Sequence, residues 1–233
     1  MRLNRKIAAP LLAAFFGMTL PAGGEFLAGG APFAWAASAN GGAPGDDALP
    51  RLKGPKAEER ARAASELGER GMMANTPALA ALLHDPEEPV RNAAHDALWR
   101  IWMRSGDPEV DAVMARGVAL MNGGEHEGAI RSFAEIILRR PDFAEGWNKR
   151  ATAYYLAEKY RESIADCNKT LELNPHHFGA LFGLGLNYVG LGDLELAVDS
   201  FERTLKVIPF SRGARRYIKM LNRILSQKGR KKI

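Results

Sequence analysis

The sequence predicts an all-α fold, an α-solenoid of antiparallel helix pairs, and two observations support that prediction. Pro141, Pro175 and Pro209 each follow a helical run, and they are spaced 34 residues apart. A proline disfavours helical geometry in the residue before it, so each one predicts the end of a helix. Within one interval, apolar residues such as Trp147 and Ala151 recur at helical spacing. Helix pairs repeated at one period indicate a stack, because a single pair cannot bury its apolar face.

The second line of support is the alignment of three blocks, 110–143, 144–177 and 178–211, which match column by column. Large and small residues alternate between the columns, which is typical of helices that approach closely and fill each other's gaps. From this alternation we predict that Phe133, Trp147 and Phe201 are buried between helices. The columns include Val113, Trp147 and Leu181; Gly117, Ala151 and Gly185; and Phe133, Cys167 and Phe201.

At these columns the chain resembles the tetratricopeptide repeat (TPR) family. The 34-residue signature of that family is large, small and aromatic in the first helix, then alanine, aromatic and proline in the second. The resemblance covers residues 110–209 in three copies. Arg116 and Arg150 stand where a leucine is usual, and Cys167 stands in an aromatic column. These departures predict local repacking within the same fold.

Two helical segments flank the repeats. Residues 56–105 contain the run "LLHDPEEPVRNAAHDAL", which resembles HEAT repeats of the bacterial type. We expect this HEAT-like segment to pack directly on the repeats, with Trp99 and Trp102 at the junction; an exposed tryptophan site is the alternative. Residues 210–233 predict a basic capping helix and tail, which a repeat array needs at its end.

The N-terminus predicts export. Residues 1–36 form a signal peptide with a positively charged start and an apolar run at 7–20, and we expect cleavage near Ala36 or Ala39. An uncleaved membrane anchor and a mitochondrial presequence are the alternatives. The apolar run is shorter than the roughly 20 residues that a spanning helix needs. Residues 37–55 are rich in Gly, Pro, Ala and Asp, and they predict a flexible linker. The predicted location is the periplasm.

The sequence contains no recognisable catalytic constellation, so we predict a protein that is not an enzyme and has no cofactor. The one cysteine, Cys167, excludes an intramolecular disulfide and a cysteine-cluster metal site. His176 and His177 lie in a predicted turn, where polar residues are expected, so no metal site is predicted. Asp166 is interpreted as part of a solvated helix face. A formal charge of +5 is a mild excess, and an exported protein is not expected to bind nucleic acid.

The resemblance to TPR proteins implies a partner site, because in that family the first helices of successive repeats line a concave groove. The sequence lacks most of the lysines and asparagines of the carboxylate-clamp subtype, so we expect a mainly apolar, exposed groove that binds a protein or peptide. An alternative is that these side chains pack against the HEAT-like segment or the N-terminal tail. The matching positions are Met114, Val118, Met121, Asn148, Thr152, Tyr155, Phe182 and Leu186, with Arg216 from the cap.

The predicted function is a non-enzymatic protein–protein interaction scaffold of the bacterial cell envelope. The alternative is a membrane-associated adaptor, anchored by an uncleaved leader or by the basic C-terminal tail, with the groove occupied internally. From Phe210 onward the chain has nine Lys or Arg residues and no Asp or Glu. Such a run favours weak contact with an anionic membrane surface, and a solvated cap with a disordered basic tail is the alternative.

Overall fold

A computed structural model describes residues 46–230, and all regular secondary structure in that part is helical, which confirms the predicted fold class. The predicted signal peptide, most of the predicted linker and residues 231–233 lie outside the described residues. The α-helices are α1 (Ala57–Arg70), α2 (Thr76–Leu82), α3 (Glu88–Trp102), α4 (Pro108–Asn122), α5 (His126–Arg139), α6 (Ala144–Leu156), α7 (Tyr160–Leu173), α8 (Phe178–Leu191), α9 (Leu194–Val207) and α10 (Arg212–Arg230).

The chain divides between Ile101 and Trp102 into two compact units. The first unit contains α1, α2 and α3 up to Ile101. Helix α1 approaches α3 closely at Gly68, where an added Cβ would lie 2.8 Å from the Cα of Ala97. Leu67 of the same helix is fully buried. A glycine on the side of α1 that faces α3 therefore allows the two helices to pack closely.

A buried ion pair fixes the Asp-Pro turn between α2 and α3. The Arg60 guanidinium donates from Nε and Nη2 to Oδ2 and Oδ1 of Asp85, at 2.8 Å and 3.0 Å. The backbone N–H of Glu87 donates to the same carboxylate at 2.9 Å, and Arg91 donates to the Asp85 carbonyl oxygen at 2.7 Å. The hydrogen bond from Arg60 lowers the pKa of Asp85. This turn is the part of the sequence that resembles HEAT repeats.

The second unit, from Trp102 onward, is a succession of helix pairs. Helix α4 packs on α5, α6 on α7 and α8 on α9; each pair contacts the next, and α10 packs on α9. Helices α5, α7 and α9 end at Arg139, Leu173 and Val207, each two residues before a proline of the 34-residue series. The prediction that these prolines follow helix ends is confirmed.

The turn inside each helix pair contains one residue with left-handed backbone geometry. These residues are Gly124, Glu158 and Gly192, with φ of +80°, +60° and +84°, and they are also 34 residues apart. Glu158 is the non-glycine residue with positive φ in the described part of the chain. The turn geometry therefore repeats even where the residue that favours it does not.

Paired large and small residues explain the packing inside each helix pair. A Cβ added to Gly117 would lie 2.5 Å from the Phe133 ring, and one added to Gly185 would lie 2.6 Å from the Phe201 ring. In the middle repeat, the equivalent positions are Ala151 and Cys167, which share one buried cluster. The larger alanine is matched by a smaller partner, so Cys167 compensates in volume for the loss of glycine.

Cys167 is 2% exposed, which confirms its predicted place in the core. Burial raises the pKa of its thiol to about 12. The thiolate is the reactive form of cysteine, so this thiol is chemically inert at neutral pH.

The structure corrects two predictions about the middle repeat. Trp147 is half-buried, and its Nε1–H donates to the Pro141 carbonyl oxygen at 3.0 Å. Asp166 is 4% exposed and accepts two hydrogen bonds from Arg150, at 2.7 Å and 2.9 Å. The Arg150 guanidinium also lies 5.1 Å from the centre of the Trp147 ring. Arg150, in the usual leucine position, thus pairs with a buried Asp166. Its guanidinium also packs against the Trp147 ring, which is half-buried at the boundary with solvent.

Candidate functional site on the inner helices

The first helices of the three pairs lie side by side. Helix α4 contacts α6, and α6 contacts α8, in addition to the contacts within each pair. Among the described residues, the second helices α5, α7 and α9 make no contacts of comparable extent with each other. The first helices therefore form one side of the second unit, which we call the inner side, and it carries the predicted partner-binding residues.

Equivalent positions on α4, α6 and α8 form three rows across the inner side, and they differ in accessibility. The first row is buried throughout, with each side chain 2% exposed: Met114, Asn148 and Phe182. In the second row Val118 is half-buried, whereas Thr152 and Leu186 are buried. In the third row Met121 is buried, whereas Tyr155 and Val189 are half-buried.

Access to the inner side therefore increases toward the C-terminal ends of α6 and α8, whereas on α4 it is greatest at Val118. We call the three half-buried side chains, Val118, Tyr155 and Val189, the open rim. Each comes from a different inner helix, and each is apolar or aromatic. Arg216, the ninth predicted partner-binding residue, is exposed on α10.

The expectation of an exposed apolar strip is wrong for Met114, Met121, Phe182 and Leu186, all of which are buried. The reason is clearest at Phe182, whose ring centre lies 5.0 Å from that of Phe201 and 5.8 Å from that of Tyr217. The capping helix supplies Tyr217, so it extends the core over a position that a repeat without a cap would expose. The role of these four residues in partner binding remains a prediction.

The inner side of α6 carries a buried polar network centred on the Glu145 carboxylate, which has no exposed surface. Lys149 approaches Glu145 Oε1 to 3.3 Å, and Asn148 donates to the same oxygen at 3.1 Å. His177 Nε2 lies 2.9 Å from Oε2. Thr152 Oγ1 donates to the Asn148 carbonyl oxygen at 3.0 Å. Two predicted partner-binding residues, Asn148 and Thr152, thus use their polar atoms inside the fold.

His177 joins this network to α8, and its hydrogen bonds show which ring nitrogen carries the proton. The backbone N–H of Ala180 donates to His177 Nδ1 at 3.1 Å, which caps the start of α8. Because Nδ1 accepts, the ring proton lies on Nε2 and is donated to Glu145. Trp102 stacks on the same imidazole with ring centres 4.4 Å apart. His177 lies in the turn before α8, as predicted, but its side chain is fully buried.

Opposing effects act on the pKa of Glu145. Burial alone would raise it, since a charge is costly in a low-dielectric interior. The positive charge of Lys149 and the hydrogen bonds from His177 and Asn148 outweigh burial, and the pKa of Glu145 is lowered. The carboxylate is therefore ionised and internally paired at neutral pH.

Tyr155 is the most polar member of the open rim. Its ring centre lies 5.8 Å from that of Tyr160. Burial raises the pKa of its hydroxyl, with smaller contributions from Tyr217 and Tyr160. The hydroxyl is therefore neutral and available as a hydrogen-bond donor or acceptor.

The described residues 46–230 contain no group of three or more His, Cys, Asp or Glu side chains placed to hold a metal ion. In the same range, no helix has the length and apolar character needed to cross a membrane. The Glu145–His177 contact was missed by sequence reasoning, because its partners are 32 residues apart. The available signal was the recurrence of the polar residues Glu145, Asn148 and Thr152 at helical spacing on α6.

Comparison with known protein families supports the repeat assignment. Tetratricopeptide repeat models match residues 144–177 and 179–211, and a HEAT repeats model matches residues 45–119. The HEAT match runs into α4, which the 34-residue register places in the first repeat. The boundary between the two kinds of repeat remains a prediction.

Several known proteins are similar over part of the chain. A TPR repeat-containing protein of Rhizobium etli is 32% identical over 120 residues, which cover 52% of this chain and 59% of that protein. The Hsp70-Hsp90 organizing protein of Triticum aestivum is 30% identical over 103 residues, which cover 44% of this chain and 18% of that protein. The chain thus spans less than two thirds of either relative.

Solved structures show the same fold. The Sgt2 TPR domain of Aspergillus fumigatus is similar at a TM-score of 0.51 and 21% identity, covering 53% of this chain and 83% of that domain. The first TPR domain of the human RPAP3 protein has a TM-score of 0.50 at 23% identity, covering 52% of this chain and 95% of that domain. The matches confirm tetratricopeptide repeats at two of the three predicted positions, and they confirm the HEAT-like character of the segment before them.

Proposed function

We propose that this protein is a non-enzymatic scaffold of the bacterial cell envelope that binds a protein or peptide on the inner side of its repeats. The observation that carries the proposal is the open rim, where three inner helices each present one half-buried apolar or aromatic side chain. Similarity to a wheat protein named for organizing Hsp70 and Hsp90 also supports a protein-binding role.

The partner would contact Val118, Tyr155 and Val189 directly. An aromatic side chain at the centre of such a surface contributes a disproportionate share of binding energy, so Tyr155 should dominate. Arg216 would meet an acidic group of the partner, and that contact should weaken with salt. The remaining predicted residues are buried, and they would hold the inner helices in position as part of the core and the polar network: Met114, Met121, Asn148, Thr152, Phe182 and Leu186.

The location in the envelope rests on the predicted signal peptide. The mature chain should begin at Ala37 or Asn40 and fractionate with soluble periplasmic material. N-terminal sequencing of the protein isolated from cells tests this directly. A membrane-bound chain that still begins at Met1 would instead favour the membrane-associated adaptor.

One observation favours part of that second candidate. The first row of the inner side is buried throughout, and Trp102 stacks on His177 beside it. This part of the inner side is filled by the chain itself, as the adaptor alternative assumes. The open rim, which is one helical turn or more away along each inner helix, does not share this burial.

The binding experiment places a photo-crosslinking phenylalanine analogue at Tyr155 in the full chain expressed in its native host. The matched control carries the same analogue at Leu138, which is 86% exposed on α5. Irradiation should yield a discrete covalent adduct with a protein partner from position 155 only. The partner can then be identified, and its affinity measured for the parent and for Tyr155→Ser.

An adduct of equal yield from both positions would mean non-specific proximity, and no adduct from position 155 would exclude the open rim as the binding surface. The melting temperature of each variant must match that of the parent, so that loss of binding is separated from loss of folding. A partner whose affinity is unchanged by Tyr155→Ser would also contradict the proposal.

A further inference from the structure

Helix α10 presents two opposite faces. One face holds Tyr217 and Leu221, which are 5% and 0% exposed. The opposite face holds four exposed cations at spacings of four, three and four residues: Arg212, Arg216, Lys219 and Arg223. We call these four residues the basic ridge. With a rise of 1.5 Å per residue, the ridge is straight and about 16 Å long.

The basic ridge gathers four cations that have no acidic partner on one face of a single helix. Elsewhere, Arg139 pairs with Glu109 at 3.0 Å and Arg150 with Asp166 at 2.7 Å. Among the described residues, none of the four ridge cations forms an ion pair with a carboxylate. No Asp or Glu follows Glu202 in the sequence. The uncompensated charge is therefore a property of a folded helix face.

The side chains that flank the ridge are polar. Asn222 and Ser226 are exposed next to it, and the apolar side chains of α10 are buried or half-buried. Tyr217 stacks on Phe201 with ring centres 4.8 Å apart, so the apolar face is already used by the fold. A surface of this kind attracts an anionic partner by charge, and it has no apolar layer to insert.

We propose that the basic ridge docks the protein on the surface of an anionic lipid bilayer. A straight row of cations can meet a flat layer of negative headgroups with all four charges at once, and each basic residue near such a surface strengthens binding. The predicted export also places the protein beside membranes and away from nucleic acid. The ridge lies on the capping helix, so docking leaves Val118, Tyr155 and Val189 available for a partner, and only Arg216 would be shared between the two contacts.

The test uses the full chain and co-sedimentation with vesicles at low salt. One set of vesicles contains phosphatidylcholine mixed with phosphatidylglycerol, and the other contains phosphatidylcholine alone, which reports any binding by the apolar run at 7–20. The ridge variant is Arg216→Gln with Lys219→Gln. The matched control is Arg131→Gln with Arg161→Gln, two exposed arginines on α5 and α7. Glutamine keeps helix propensity, and both variants lose the same charge.

The parent should bind the anionic vesicles, and binding should fall steeply with added salt. Each basic residue near an anionic surface contributes about a fivefold factor, so the ridge variant should bind about 25-fold more weakly. The control should bind like the parent. A second ridge variant, Arg212→Gln with Arg223→Gln, should repeat the loss, and unchanged melting temperatures would show that both variants are folded.

Three outcomes would overturn the proposal. Equal loss in the ridge and control variants would assign binding to net charge alone. No preference for anionic vesicles over pure phosphatidylcholine would exclude the ridge as a lipid-docking surface. Tighter, ridge-dependent binding to a DNA duplex or to polyglutamate at the same salt would assign the ridge to nucleic acid or to an acidic protein.

Discussion

Helices α6 and α8 occupy equivalent positions in successive repeats, yet they build their inner sides from opposite chemistry. Helix α6 places Asn148 and Thr152 where α8 places Phe182 and Leu186, and all four side chains are buried. Burial at these positions is therefore set by the register of the repeat. The chemistry can vary as long as buried polar groups find hydrogen-bond partners within the fold.

The apolar inner side of α8 and the polar inner side of α6 should differ in the changes that destabilise them. The apolar solution of α8 depends on volume, so it should be sensitive to cavities and clashes. The polar solution of α6 depends on pairing, so it should be sensitive to loss of a partner and to pH. The predictions below test this difference, from the largest expected effect to the smallest.

Truncation of Phe182 should have the largest effect. Phe182→Ala removes a buried ring that contacts Phe201 and Tyr217. We expect the free energy of unfolding to fall by about 3–5 kcal/mol, because the cavity in this packed cluster cannot collapse fully. Urea denaturation followed by circular dichroism measures the change.

The matched variant on the polar side is Asn148→Ala. It leaves Glu145 with one hydrogen bond fewer but removes little apolar area, so we expect a loss of about 1–3 kcal/mol. If the two variants were equally destabilising, or if their order were reversed, the account would be wrong that α8 is stabilised by filled volume and α6 by paired polar groups.

Gly185→Ala on α8 should destabilise by about 1–3 kcal/mol, since its Cβ would lie 2.6 Å from the Phe201 ring. That ring cannot move easily, because it is fully buried and stacks on Tyr217. Two residues earlier, Gly183→Ala would bring its Cβ 3.3 Å from the Cys167 sulfur. We expect a change near zero there, or a gain of up to about 1 kcal/mol from the better helix propensity of alanine.

Thermal melting of both glycine variants provides the comparison. A melting temperature for Gly185→Ala at or above that of the parent would mean that the close approach of α8 and α9 is not needed for stability.

A substitution in the turn between α6 and α7 should have a smaller effect, and it should stabilise the protein. Glu158 has φ of +60° where the next repeat has Gly192 at +84°. Left-handed geometry is unfavourable for a residue with a side chain, so Glu158→Gly should stabilise the protein by about 0.5–1 kcal/mol. A urea midpoint that moves to lower concentration would show that interactions of the Glu158 side chain outweigh the backbone strain.

The polar network predicts a pH dependence that α8 cannot produce, because α8 contains no acidic or basic residue. The pKa of Glu145 is lowered in the folded protein. Its contribution to stability is therefore present above the ordinary glutamate pKa of 4.5 and is lost as the pH falls through the lower folded value. Unfolding free energies measured from neutral to acidic pH should decrease in that window.

Several other carboxylates also have lowered pKa values, so the informative quantity is a difference. Glu145→Gln should be less stable than the parent at neutral pH, because Lys149 loses its buried partner, and its stability should change less with pH. Parallel pH profiles for the parent and this variant would contradict the assignment.

The sequence predicts the repeating framework well and the buried polar groups poorly. The proline spacing and the large and small columns are local or periodic signals, and they correctly predicted helix ends and the placement of Phe133, Cys167 and Phe201 in the core. Asp166 was interpreted as part of a solvated helix face and His177 as a polar residue of a turn, and neither interpretation included a buried partner.

The burial of Asp166 and of His177 depends in each case on a partner that is distant in sequence. Arg150 lies 16 residues from Asp166, and Glu145 lies 32 residues from His177. Neither distance follows from helical periodicity. The exposed apolar strip failed for a related reason, since the capping helix supplies Tyr217 to a surface that the repeats alone would leave open.

The central claim is that the polar inner side of α6 is a closed internal network, so that partner binding falls to the open rim. The protonation of His177 tests it most directly, because Nδ1 accepts from Ala180 while Nε2 donates to Glu145. Long-range proton–nitrogen NMR spectra of the imidazoles, assigned with a His177→Gln variant, report which nitrogen carries the proton. We predict that the ring carries its proton on Nε2 and none on Nδ1. A ring protonated at Nδ1, or at both nitrogens, would contradict the network and its cap on α8.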